Sequence, residues 1–202
     1  MFGVTTEQIN RGLYDLLSGI KDWRLWHFLA WQEIKQRYRR STLGPFWMSL
    51  NMAVQMATMG LLVSALFGHS YSKFLPYVCA GYIVWNLLAG ILTESTSAFA
   101  SSGGFILQQN RPFFSYILLS VWRQLIIFWH NAVVLAGLLL IFGITPNANL
   151  ALLLVSLPLS ILSVMWIGLV CATIAVRFRD VQLIVMNAMT VLFWLTPIIY
   201  YH

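Results

Sequence analysis

The chain has 202 residues, of which 59% are hydrophobic and only 9% charged, against roughly 25% charged in a soluble domain; with a mean hydropathy of +0.76 it reads as an integral membrane protein. The net charge of +6 is concentrated, since seven of the twelve Lys and Arg precede residue 41, which marks a cytoplasmic flank rather than a nucleic-acid face. Cys79 and Cys171 lie far apart in apolar runs with no metal spacing, and no G-x-x-x-x-G-K-[ST] is present, so neither a metal cluster nor a phosphate loop is expected.

Residues 1–45 form the expected cytoplasmic segment. Residues 1–21 lack the continuous apolar run of a cleavable signal, and a short helix is expected near Glu7 to Leu17. From Trp23 the sequence becomes WRLWHFLAWQEIKQRYRRSTLGPFWMS. Trp23, His27, Ala30, Ile34 and Tyr38 recur at three- and four-residue steps, with Arg24, Lys35 and Arg39 opposite. This predicts an amphipathic helix in the membrane interface, rings toward acyl chains and cations toward phosphates. The Gly44-Pro45 break then suits a hinge, with Pro in the first turn of a new helix.

Residues 46–202 form the expected transmembrane domain. A span needs about 20 apolar residues to cross roughly 30 Å of hydrocarbon. Five segments qualify: about 46–67, 75–92, 113–142, 150–176 and 181–201. The connections are His69 to Lys73, a polar stretch from Thr93 to Arg111, a Pro-Asn-Ala-Asn turn at 146–149, and the short link Arg177-Phe178-Arg179-Asp180, read as an ion pair. With the N-terminus inside, Arg111, Arg177 and Arg179 are also inside and only Lys73 is outside, as the positive-inside rule asks. The expected class is therefore an all-α, polytopic membrane protein with about five spans and a cytoplasmic N-terminus.

Polar residues within spans narrow the chemistry. Asn51, Gln55 and Thr58 share one stripe of the first span, and Asn187, Thr190 and Trp194 one stripe of the fifth. Such stripes face protein or water. They serve either as helix–helix hydrogen bonds, worth about 0.6 kcal/mol each, or as a pathway. Thr196-Pro197 is expected to free a carbonyl and bend the fifth helix. Arg123 in the long third span is read as standing at the inner interface, the alternative being a cation that contacts substrate, and Ser156, Ser160 and Ser163 in the fourth read as a close-packing stripe. None of the six acids lies mid-span. A proton-coupled carrier or intramembrane acid–base enzyme is therefore not indicated, and no catalytic residue is assigned.

The string QEIKQRYRRSTLGPFWMSL at 32–50 resembles the lead into the first span of permease subunits in type-2 ABC exporters of polysaccharides, such as O-antigen, capsule or teichoic acid. VRFRDV at 176–181 and FWLTPIIY at 193–200 agree in order and spacing. The resemblance implies a permease homodimer enclosing a channel for a lipid-linked polysaccharide, docked to separate ABC ATPase subunits that hold ATP and Mg. This chain itself would bind no cofactor. It implies channel walls from spans one and five, here Phe46, Trp47, Asn51 and Gln55 with Asn187, Thr190, Trp194 and Tyr200. It implies ATPase coupling through the basic helix, here Arg37, Arg39 and Arg40. The inner loop between spans two and three would hold the coupling helix, here with Glu94, Ser95, Ser97, Phe99, Gln108 and Asn110. The family has six spans, whereas this sequence stops at Tyr201-His202 after the fifth. Other readings are an exporter of a small hydrophobic drug or lipid, which would carry aliphatic residues at Asn51, Gln55 and Asn187, a membrane-embedded glycan-modifying enzyme, which would need a carboxylate pair, and an assembly subunit.

Overall fold

The computed structural model describes residues 5–67, 71–103, 111–144 and 150–198, and among these the chain is helical with no strand. Among the described residues seven helices are laid out in order: α1 (Thr6–Lys21), α2 (Trp23–Arg37), α3 (Phe46–Phe67), α4 (Tyr71–Ser101), α5 (Phe113–Ile141), α6 (Leu150–Arg177) and α7 (Asp180–Leu195). Four of them, α3 to α6, are long and apolar enough to cross a membrane. The fifth apolar helix, α7, has 16 residues, about 24 Å of rise. It ends where Thr196 turns extended, because the residue before a proline is pushed out of the helical region. Pro197 thus terminates the helix instead of bending it. Tyr77 holds this end by donating to the Pro197 carbonyl at 3.2 Å. The Pro-Asn-Ala-Asn turn, His69 and the last residues of the fifth segment, including Tyr200, lie outside the described residues.

Helix α4 is the hub. It packs on α3, α5, α6 and α7, while α3 touches α5, α5 touches α6 and α6 touches α7. The ring stays open between α7 and α3. Close approach of α4 and α6 depends on Gly168, where a Cβ would fall 2.7 Å from Ser95 Cβ. Ala172 and Ala175 are buried one and two turns further along. The expected packing stripe of Ser156, Ser160 and Ser163 does something else. Ser160 and Ser163 bond the carbonyls of Ser156 and Leu159 in their own helix, at 2.8 and 2.9 Å, and most of α6 presents Leu, Val and Ile outward. That is how a helix meets a solvent as apolar as itself.

Helix α4 continues to Ser101, well past the expected end of the second span. The polar residues there do not break it, because Thr93, Thr96, Ser97 and Ser101 return their hydroxyls to carbonyls three or four residues back. Ala98 and Phe99 meanwhile join the core with Phe114 and Ile117. The inner loop therefore starts after Ser101, and its part at 104–110 lies outside the described residues.

Helices α1 and α2 lie against α5. Asp15 of α1 accepts from the Phe113 and Phe114 N–H groups at 2.8 and 3.0 Å, so a side chain remote in sequence caps α5. Gly19 admits Phe114, whose Cβ would sit 3.0 Å from an added Cβ. The stripe on α2 expected to face acyl chains faces protein in part, with Trp23 at its start left exposed. Ala30 and Ile34 are buried, and His27 and Trp26 pack on Trp122 of α5 at ring-centroid distances of 5.0 and 5.8 Å. The exposed apolar residues of α2 are Trp23, Phe28, Leu29 and Trp31. The link to α3 turns through left-handed backbone at Arg40 (φ 74°) and Gly44 (φ 54°).

Candidate functional site

The open sector of the helix ring forms a groove of about 910 Å³. One wall is α3, with Met48, Asn51, Met52 and Gln55; the other is α7, with Asn187, Thr190, Phe193 and Trp194 among its residues. The floor comes from α4 and α5, with Tyr82, Trp85, Asn86, Gly90 and Thr93 against Gln124 and Asn131. Asn51 and Gln55 of the first polar stripe thus face the stripe of span five across one cleft, while Thr58 lies off it and donates to the Val54 carbonyl at 2.9 Å.

Each wall is positioned by specific contacts. Tyr82 donates its hydroxyl to Gln55 Oε1 at 2.7 Å, tying the floor to the α3 wall. Phe193 stands edge-on to Tyr82 at 5.7 Å and tilted against Trp85 at 5.9 Å, tying the floor to α7. Trp194 follows Phe193 at 5.6 Å. Gly90 leaves room for Gln124, whose Oε1 would lie only 2.4 Å from a Cβ there. Asn131 is 6% exposed, and among the described residues its Oδ1 has no hydrogen-bond partner. The surface is therefore aromatic and amide-rich, able to stack on apolar faces and to exchange hydrogen bonds with hydroxyls.

Charge enters at one end only. Glu94 lines the groove, and its Oε2 accepts from Arg123 Nε at 2.7 Å. The same guanidinium pairs through Nη1 with Glu33 of α2. Arg123 is 17% exposed and Glu94 23%, so one cation joins α2, α4 and α5 between two carboxylates. Arg123 lies about 15 Å along α5 from Phe113.

Other sequence-predicted residues fall elsewhere. Phe46 and Trp47 are exposed at the start of α3 and are not on the groove. Ser97 lies at the groove's charged end. Ser95 and Phe99 are buried, Phe99 against Phe113 at 5.8 Å, so neither presents itself to a docking partner. Arg37, Arg39 and Arg40 are exposed around the end of α2. Gln108, Asn110 and Tyr200 lie outside the described residues. The expected ion pair in the α6–α7 link is not formed among them. Arg177 lies over the Phe178 ring at 5.7 Å, and Asp180 sits in the first turn of α7, where a carboxylate suits the helix dipole.

Sequence reasoning missed the floor. Tyr82, Trp85 and Asn86 share a stripe of α4 with Gly90 and Thr93, but only the hub position of α4 turns that stripe to the cleft. Gln124 and Asn131, seven residues apart on α5, share one face of that helix, which the sequence alone does not place on the groove.

Comparison with known proteins gives the family of the chain. The chain is 26% identical over 172 residues to the O-antigen export system permease protein RfbA of Myxococcus xanthus, covering 85% of this chain and 66% of that relative. It therefore spans a little less than two thirds of the relative's length. A bundle with four helices long and apolar enough to cross a membrane fits a membrane transporter family, and since residues 24–201 match the model of that family, the chain belongs to the ABC-2 type transporters.

Proposed function

We propose that this chain is the transmembrane subunit of an ATP-driven exporter, and that its groove carries a lipid-linked, O-antigen-like polysaccharide across the bacterial cytoplasmic membrane. The observation that supports this most strongly is the groove surface, which combines amides and aromatic rings with charge only at the Glu94 end. A sugar polymer offers C–H faces that stack on rings and hydroxyls that need both donors and acceptors. A conduit of fixed charges or bare aliphatics suits it less. The same amides argue against a small hydrophobic drug or lipid as cargo.

The groove is open between α3 and α7, and Asn51, Gln55, Asn187 and Trp194 are exposed along it. In this reading a second copy of the chain closes it, as two-fold assembly commonly does. ATP is hydrolysed by a separate ABC ATPase docked at the α2 end. Arg37, Arg39 and Arg40, together with the loop that holds Gln108 and Asn110, meet that subunit. This end is cytoplasmic, because Arg111, Arg177 and Arg179 flank the spans there and Lys73 lies at the other end. Glu94 acts from within the bundle, through Arg123, instead of touching the ATPase directly.

The test is co-purification and reconstitution. The tagged full chain is expected to bring down an ABC ATPase and, in vesicles, to support ATP-dependent movement of lipid-linked glycan. A complex that hydrolyses ATP but moves only small apolar molecules would contradict the polysaccharide assignment.

A further inference from the structure

A second cavity, of about 530 Å³, lies where α1 meets α2, apart from the groove. Three cations line it, Lys21, Arg24 and Arg111, against the single carboxylate Asp22. Arg111 approaches Asp22 at 3.6 Å and remains 44% exposed, so that pair does not seal it from solvent. Arg24 lies over the Trp23 ring at 5.6 Å, which holds the guanidinium near the rim. The size fits one polar headgroup.

The position fits a lipid. Arg111 stands two residues before Phe113, where the membrane-crossing helix α5 begins. Trp23 and Phe28 line the cavity and are exposed, as rings at a membrane interface are. Along α1, Leu13, Leu17 and Ile20 form an exposed apolar stripe leading up to Lys21. Cations beside an apolar strip match a phosphate group with acyl chains attached.

We propose that the Lys21–Arg24–Arg111 cavity binds the phosphate headgroup of an anionic membrane lipid and so anchors α1 and α2 to the bilayer surface. This site does not depend on the cargo assigned to the groove.

Native mass spectrometry of the full chain, released from micelles containing phosphatidylglycerol and phosphatidylcholine, reads the site directly. Retained phosphatidylglycerol is expected for the unchanged chain and for Arg11→Gln, which removes a cation paired with Glu7 on α1 away from the cavity. Arg24→Gln with Arg111→Gln should lose it, affinity falling about five-fold per cation. Lys21→Gln with Arg24→Gln leaves the Arg111–Asp22 pair intact and should show the same loss at an unchanged melting temperature. Inorganic phosphate should not displace the lipid. Unchanged retention in both double variants, or equal loss in Arg11→Gln, would overturn the site. Displacement by inorganic phosphate would overturn its assignment to a lipid. Variants that keep the lipid but lose a co-purifying protein would give the cavity to an acidic protein surface instead.

Discussion

Arg123 reaches Glu94 at 2.7 Å across the α4–α5 contact while pairing with Glu33 on α2. Both flank the charged end of the groove, so any motion of α2 against the bundle must break or drag this cation. A largely buried cation held between two acids is costly to leave half-made.

Removing the shared partner should therefore hurt most. Arg123→Gln is expected to cost about 3 kcal/mol, read as a lower melting temperature of the purified protein. Glu33 is 44% exposed, so Glu33→Gln should cost less than about 1 kcal/mol. Glu94→Gln should fall between them. Equal effects from all three would mean that the cation does not join the helices energetically.

The Asp15 cap makes a separate prediction. Asp15→Ala removes the acceptor from the Phe113 and Phe114 amides and should cost about 1 kcal/mol. Amide exchange should quicken at the start of α5 and along α1, leaving α6 unchanged. Faster exchange spread evenly over all helices would argue against a local cap.

Helix approach at Gly168 can be tested by compensation. Gly168→Ala places a Cβ 2.7 Å from Ser95 Cβ and should destabilise by about 1–3 kcal/mol. Adding Ser95→Gly removes the clash and should restore part of the loss. A double variant no better than the sum of the singles would show that the helices do not meet there as described.

Much of the bundle was legible because lipid makes helices simple. The long, mainly apolar runs expected at 46–67, 113–142 and 150–176 agree with the bounds of α3, α5 and α6 within about a residue. The stretch after Thr93 was not legible. Its Ser and Thr look like loop residues, yet they satisfy themselves on their own helix carbonyls. The α2 stripe was correctly periodic, but periodicity does not say whether the apolar face meets lipid or protein; Trp122 decided that. The charged triad was hidden because Glu94 and Glu33 are 29 and 90 residues from Arg123. The two polar stripes were visible, whereas their meeting in one groove required the ring of helices around α4.

That groove as the glycan's conduit is the central claim, and the double variant Gln55→Leu with Asn187→Leu tests it most directly. Each change places aliphatic bulk on a facing wall, and losing the Tyr82–Gln55 hydrogen bond costs only about 0.6 kcal/mol, too little to unfold the bundle. Surface glycan on cells carrying the variant is measured beside the melting temperature of the purified complex. Glycan display lost at a nearly unchanged melting temperature is the expected result. Normal display with a slightly lowered melting temperature would contradict the conduit and leave both stripes as packing.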